Sequence, residues 1–262
     1  MKYIITGTEG FIGSAVLKGL EAAGHYAWRI HQDKQIWESG AMIEDMVKNC
    51  DGIFHIGAIS DTTEQDPNYM LYWNYTTSKI LFDLARKYNK KVVYSSSAAN
   101  YGSGNGIPNN IYGWSKLLAE EYGLKACERF VALRYFNVYG PGEERKGKMA
   151  SVAYQAYKAG EFKLFPGDIK RDFVYIDDVV SANLHAMTLE RGTFDVGTGN
   201  AEKFQDLVWG MKISYSEHET NMIPKWYQYF TQADRDKFLP GWKPKYNVKS
   251  GTKKYREYLL NS

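Results

Sequence analysis

A doubly wound, mostly parallel α/β sheet with a smaller α/β domain toward the C-terminus is the fold class this 262-residue sequence predicts. Three observations predict it. Apolar strand-like segments alternate with helix-like ones through the first half, the pattern of strands joined by helical crossovers. A glycine-spaced loop, "TGTEGFIG", follows the first strand and opens the first helix. The composition is 44% hydrophobic and 24% charged, so apolar burial can offset ordering entropy along most of the chain.

The elements follow in order. Strands "KYIIT", "YAWRI", "GIFHI", "KVVYSS" and "RFVALRY" are separated by helices expected at 12–23, 41–49, 70–88 and 112–127. Residues 1–146 are therefore assigned to a Rossmann-type dinucleotide-binding domain, rejoined by about 172–199. Residues 147–262 are less regular: "KLFPG", "RDFVYIDD", a helix near 178–189, "GTFDVGTG", a helix near 203–211 and a Tyr/Trp-rich stretch ending in a basic helix. They are expected to form a substrate domain that shares strands with the sheet. The basic tail "KPKYNVKSGTKKYRE" reads as a solvated helix face.

Several function classes are disfavoured. A net charge of +3, with no basic stripe carrying interleaved aromatics, argues against nucleic acid. The N-terminus runs straight into a strand and no apolar run approaches a membrane-spanning length, so a soluble cytoplasmic protein without a membrane partner is expected. Cys50 and Cys127 lie far apart and in no CxxC spacing, which predicts free thiols. The histidines at 25, 31, 55, 185 and 218 show no metal-ligand spacing.

The glycine loop points to a dinucleotide. Gly7 permits a tight turn, Gly10 lets backbone approach a pyrophosphate, and Gly13 lets helix and strand pack closely, while the helix N-terminus attracts an anion. Phe11 and Ile12 within the loop, and Gly57 and Ala58 after the third strand, complete the candidate cofactor contacts there. An acid for the ribose 2′-hydroxyl is expected about twenty residues on. The second strand instead ends "WRIHQDK", with His31 at that point and Arg29 and Lys34 beside it. A cationic surround suits a 2′-phosphate and hence NADP. NAD stays open through Asp33, and so does an ordinary solvated strand end.

"IYGWSKLLAEEY" places Tyr112 and Lys116 four apart on one helix face. A phenol titrating near ~10 needs a neighbouring ammonium to act at neutral pH, and the same lysine can reach a nicotinamide ribose. "YSSSAANYG" offers Ser97 to hydrogen-bond a substrate hydroxyl or carbonyl. Tyr-x-x-x-Lys alone arises by chance in many helices. Downstream of the glycine loop and of a strand ending in serines, it is a catalytic signal.

Together with "LRYFNVYGP" and "RDFVYIDDV", these motifs resemble the extended short-chain dehydrogenase/reductase superfamily, and especially its nucleotide-sugar epimerases. "RKGKMASVAY", "KLFPGDIKRDFVYIDDVV", "GTFDVGTGNAEKFQDL" and "YQYFTQAD" resemble the ADP-L-glycero-D-manno-heptose 6-epimerase family along nearly the whole chain. The resemblance implies oxidation at C6″ of an ADP-D-glycero-D-manno-heptose with bound NADP and return of hydride to the opposite face. Two acid/base groups serve such a reaction, one for each epimer. Tyr112 carries over as one and Lys146, in "KGKMAS", as the other, provided that burial or nearby cations such as Arg145 and Lys148 lower its pKa.

The resemblance further implies a substrate-side role for Asn137, a diphosphate contact for Arg171 and a sugar-nucleotide contact for Tyr227, with Lys148 near the sugar or phosphate. A planar guanidinium can bind phosphate oxygens bidentately. A satisfied loop amide at Asn137 and a core aromatic at Tyr227 are the plain alternatives. A homo-oligomer is the expected assembly, and lipopolysaccharide precursor synthesis the expected setting. The chain departs from the family in being trimmed after "YAWRI" and before "YQYFTQAD", and in offering Tyr154 and Gln155 where a histidine is common. Two other functions stay open. Another nucleotide-sugar epimerase, reductase or dehydratase could use the same scaffold, although "SSSAAN" lacks the carboxylates a dehydratase would want. A dinucleotide-sensing protein would have no use for Ser97, Tyr112 and Lys116 together.

Overall fold

A computed structural model describes residues 1–104, 106–219 and 228–262. Residues group into two compact units: Met1–Arg134 with Val180–Phe194, and Tyr135–Val179 with Asp195–Ser262.

The first unit is built on a six-stranded sheet. In chain order its strands are β1 (Lys2–Thr6), β2 (Tyr26–Ile30), β3 (Gly52–His55), β4 (Lys91–Ser97) and β5 (Phe130–Tyr135). With the later strand β9 (Gly192–Val196), the order across the sheet is β2-β1-β3-β4-β5-β9. β1 pairs in parallel with both β2 and β3, with Ile5 opposite Arg29 on one side and Phe54 on the other. The order reverses direction at β1, so the loops after β1 and β3 flank the crevice where doubly wound sheets bind ligands.

Helices cover the sheet where apolar residues recur at helical spacing. They are α1 (Phe11–Ala22), α2 (Lys34–Ser39), α3 (Ala41–Lys48), α4 (Pro67–Leu71), α5 (Thr77–Lys87) and α6 (Ile111–Ala126). Ile4, Ile53, Val92 and Phe130 from the strands and Leu81, Phe82 and Ala119 from α5 and α6 form a fully buried cluster. Each such aliphatic or Phe side chain contributes about 1.5–3 kcal/mol by leaving water. The helix expected at 70–88 is interrupted by a π-helical turn, Tyr72–Thr76, between α4 and α5. The turn sets Asn74 inward, where Oδ1 accepts from the Ile59 amide at 2.7 Å and Nδ2 donates to the Ile59 carbonyl at 3.0 Å.

The second unit also has small sheets of its own, while β9, from the 172–199 segment, joins the large sheet. The small sheets comprise β6 (Asn137–Tyr139), β7 (Glu161–Leu164), β8 (Lys170–Tyr175), β10 (Ala201–Lys203) and β11 (Ser214–Glu217). The sheets run β10-β8-β6 and β11-β7. Helices α7 (Val152–Ala159) and α9 (Phe204–Gly210) pack Ala156 and Val208 against Leu164, and α8 (Ile176–Ala186) crosses the boundary between units. The basic tail forms α10 (Val248–Leu260), with Val248, Gly251, Thr252 and Tyr255 buried on one side and the charges on the other. Among the described residues no helix is long and apolar enough to cross a membrane, no cluster of metal-ligating side chains occurs, and Cys50 and Cys127 are buried free thiols.

Candidate active site

The glycine loop has the geometry its spacing predicts. Gly7 adopts φ +73°, a left-handed turn, and a Cβ there would meet Gly57 Cα at 2.6 Å. At Gly13 a Cβ would lie 2.0 Å from the Gly7 carbonyl oxygen, so α1 packs on the loop only with glycine. Gly10 is different: it is the exposed N-cap of α1, and no side chain caps that end. The helix N–H groups are left for an anion, and no acidic residue in the first turn opposes one. These residues fit a pyrophosphate cradle. Phe11 is buried, Ile12 half-buried, and Gly57 donates its amide to Thr6 Oγ1 at 2.8 Å, with Ala58 next to it at the loop after β3.

Each basic residue at the end of β2 and in the stretch after it meets an acid. Arg29 pairs with Glu21 at 3.3 Å, His31 with Glu9 at 2.9 Å and Lys34 with Glu38 at 3.5 Å. All three pairs are exposed and individually weak. Asp33 caps α2, accepting from the Gln35 and Ile36 amides, so its carboxylate has a local use.

Beneath the crevice a buried chain of hydrogen bonds links the loops. Thr6 Oγ1 accepts from the Ile56 and Gly57 amides at 3.0 and 2.8 Å, which leaves its own hydrogen for His55 Nδ1 at 2.9 Å. Ser78 donates to the Asn74 carbonyl at 2.7 Å and therefore accepts from His55 Nε2 at 2.7 Å. His55 is thereby fixed as the neutral Nε2–H tautomer, and burial, then the Lys116 charge, pushes its pKa down to about 3. Asn74 also donates to Ser115 Oγ at 2.9 Å, and Ser115 donates to the Tyr112 carbonyl at 2.7 Å. The chain thus runs from the phosphate loop to the helix turn that carries Tyr112.

Ser97, Tyr112 and Lys116 come together in the first unit. α6 starts at Asn110, whose side chain accepts from the Gly113 amide at 2.8 Å, so Tyr112 sits in a well-held first turn. Burial raises the Tyr112 pKa and a hydrogen bond with the Ser97 side chain opposes the rise. The predicted depression by Lys116 is not what this geometry produces. The Lys116 ammonium lies 4.4 Å from the Tyr94 ring centroid, almost fully buried, and burial pushes its own pKa down to about 7, with Glu120 pulling it back up.

Glu120 is a residue the motif reading passed over. It is fully buried and accepts from Ser96 Oγ, from Asn100 Nδ2 at 3.0 Å and from Arg134 Nε at 3.2 Å. One carboxylate therefore joins α6 to the end of β4, next to Ser97, and to β5. The signal was available: Glu120 continues the Tyr112 and Lys116 spacing by four more residues.

In the second unit the segment "EERKGKM" forms a 3-10 turn, Glu143–Met149, reversed at Gly147 with φ 54°. Lys146 is half-buried and Lys148 exposed. Burial lowers the Lys146 pKa while the Glu143 charge raises it, so of the two expected causes burial is the one at work, with no contribution from Arg145 or Lys148. Asn137 is exposed at the start of β6. Arg171 is buried on β8, donating Nη1 to the Lys170 carbonyl at 2.9 Å and Nη2 to the Gln228 carbonyl, with its guanidinium over Phe204. Part of its fork is thus committed to backbone. Tyr227 lies outside the described residues.

Asp172, beside Arg171, was also missed. Its carboxylate accepts from Thr198 N and Oγ1, both at 2.7 Å, from Gly199 N at 2.8 Å and from Ala233 N at 3.1 Å. It ties together "RDFVY", "GTGN" and "FTQAD", three segments far apart in sequence, beside an open polar cavity of about 430 Å³ lined by Asn200, Gln232 and Arg235.

The chain is similar to known proteins over its full length. The profile of the NAD dependent epimerase/dehydratase family matches residues 3–197. The ADP-L-glycero-D-manno-heptose-6-epimerase of Brachyspira hyodysenteriae is 36% identical, the alignment covering 99% of this chain and 98% of that protein. The crystal structure of the Helicobacter pylori ADP-L-glycero-D-manno-heptose-6-epimerase superimposes with a TM-score of 0.83 at 29% identity, over 100% of this chain and 96% of that one. The Thermotoga maritima UDP-glucose 4-epimerase, solved with UDP-glucose, gives a TM-score of 0.84 at 25% identity, over 100% and 99%.

Proposed function

This chain belongs to the NAD dependent epimerase/dehydratase family and is a nucleotide-sugar epimerase using a nicotinamide dinucleotide, and we propose that it inverts C6″ of an ADP-glycero-manno-heptose. The single observation that carries the chemistry is the hydrogen bond between Ser97, at the end of β4, and Tyr112, on the helix that also buries Lys116 and is wired to the glycine loop. The 36% identity over nearly all of a relative named for this sugar supports the substrate.

The dinucleotide, held by the glycine loop through its pyrophosphate, accepts and returns the hydride. The chain's own residues handle the proton and the substrate. Tyr112, held as a phenol by burial, exchanges a proton with the C6″ oxygen of one epimer, and Ser97 polarises that oxygen. Lys146, made easier to deprotonate by burial, serves the other epimer. Lys116, one turn along the helix from Tyr112, is assigned to the nicotinamide ribose. Asn137, Lys148, Arg171 and Tyr227 are assigned to the sugar nucleotide, the first unit to the cofactor and the second to the substrate.

NADP is the proposed form of the cofactor, supported by Arg29, His31 and Lys34 at and after the end of β2, where no acid stands in the expected position. The enzyme is proposed to be cytoplasmic and homo-oligomeric. Trp114 and Leu118, one turn apart on α6 and 46% and 43% exposed, support the second point.

One experiment tests the reading. Protein loaded with NADP or with NAD is incubated with ADP-D-glycero-D-manno-heptose and with UDP-, GDP- and dTDP-sugars, and the epimers are resolved. Conversion of the ADP-heptose, faster with NADP, is expected. Turnover of another sugar with none of the ADP-heptose would end the substrate assignment, and faster conversion with NAD would end the phosphate argument.

A further inference from the structure

Glu143 opens the lysine turn and is fully buried, unlike its exposed neighbour Glu144. Its Oε1 accepts from the Gly140 amide at 3.3 Å and from Ser151 Oγ at 2.8 Å, and its Oε2 accepts from the Ser151 amide at 2.6 Å. Gly140 precedes the turn and Ser151 follows it, so one carboxylate closes the loop at its neck. Ser151 in turn caps α7 through the Tyr154 amide, which anchors the neck to a regular element. Inside the neck the chain makes a reversal at Gly147, where a Cβ would meet nothing within 4 Å. Beyond the reversal, Gln155 Nε2 donates to the Ala150 carbonyl at 2.6 Å, so α7 holds the far side of the turn as well.

We propose that Glu143 is a positioning residue for Lys146: by clasping Gly140 and Ser151 it holds the turn that presents the lysine three residues on. This rests on Lys146 being the second acid/base. A carboxylate suits the clasp because both of its oxygens accept, whereas an amide would turn an N–H toward Ser151 N or Oγ. Burial pushes the Glu143 pKa up, and the Ser151 and Gly140 hydrogen bonds counter that rise. The Glu143 charge also opposes the loss of the Lys146 proton, so the clasp sets both the place and the charge of the lysine.

The test must separate a positioning role from general support of the fold. Net epimerisation cannot do so, since the overall equilibrium ties the forward and reverse rates together. The first half-reaction can: protein loaded with oxidised cofactor is mixed with each pure epimer, and reduction of the nicotinamide is followed in a single turnover. Lys146→Met is expected to slow reduction by one epimer roughly 100-fold or more and the other by less than about 3-fold. Glu143→Gln is expected to slow that same epimer by roughly 10- to 100-fold, the cost of a misplaced catalytic group, and to spare the other. Ser151→Ala, which removes one contact of the clasp, is expected to show the same bias at about 3- to 10-fold.

If Lys146→Met is selective while Glu143→Gln slows both epimers equally or neither, the positioning role is overturned alone. If Lys146→Met shows no epimer bias, the assignment of Lys146 fails and takes the positioning role with it. Should Glu143→Gln lose its cooperative thermal transition, Ser151→Ala decides, and its lack of bias overturns the proposal.

Discussion

Lys116 and Lys146 are two lysines drawn out of water by two different constructions. Lys116 sits on a sixteen-residue helix, almost fully buried, with Glu120 one turn along the same helix and Arg134 and Asn100 holding that carboxylate. Lys146 sits on a reversed turn, half-buried, and its Glu143 is held by the backbone and hydroxyl at the turn's two ends. In both places a buried glutamate opposes the loss of the lysine's proton. The helix makes its partner by spacing, while the turn makes its partner by folding back on itself. A helical lysine is therefore robust to change elsewhere, and a loop lysine depends on its neck.

The largest effect expected separates Tyr112 from Lys146 as the two acid/base groups. Tyr112→Phe should lower epimerisation by about 10²- to 10⁴-fold, the range of general acid–base catalysis, with cofactor affinity little changed. Epimer conversion and cofactor titration measure the two quantities. Wild-type turnover in the Phe variant would dissolve the comparison, because Lys146 would then need no partner.

A stability effect comes next. Glu120→Leu leaves Arg134 partly buried without its carboxylate and removes acceptors from Ser96 and Asn100, so a loss of about 3–5 kcal/mol is expected in denaturant unfolding. The paired variant Glu120→Leu with Arg134→Met should recover much of that loss. If Glu120→Leu unfolds like the wild type, the helix site is held by packing alone and the contrast with the turn disappears.

The third effect is a slope with pH. Lys116 has a folded pKa of about 7 against 10.5 in the unfolded chain, so between those values the unfolded chain binds the extra proton. Stability attributable to this group should therefore rise from about pH 7 to 10.5, because the penalty for burying the charge is relieved as the folded lysine loses its proton. Lys116→Met should flatten that slope in denaturant titrations at several pH values, and Lys146→Met should flatten it less. The reverse order would place the more strongly desolvated lysine on the turn.

Much of the first unit was legible because its signals are local. Gly7 and Gly13 are where glycine spacing placed them, since a positive φ and a 2.0 Å approach exclude every other residue. The helix bearing Tyr112 and Lys116 was expected within one residue of its observed span. Other features were less visible. The π-helical turn at Tyr72–Thr76 leaves no mark in a hydrophobic period, and the short α2 lies in a stretch that reads as a trimmed loop. The acidic partners of Arg29, His31 and Lys34 include Glu9, twenty-two residues from its histidine, a distance no local rule spans.

The sequence by itself determined the parallel sheet, the phosphate loop and the Tyr112–Lys116 face, because each follows from spacing along one or two elements. Tertiary structure alone decided which carboxylates are buried at the sites. Glu120 meets Arg134 across α6 and β5, Glu143 meets Ser151 across a turn, and Asp172 gathers Thr198, Gly199 and Ala233 from distant segments. The physical reason is that a charged side chain reads as a solvated one until the fold supplies the donors that make its burial affordable.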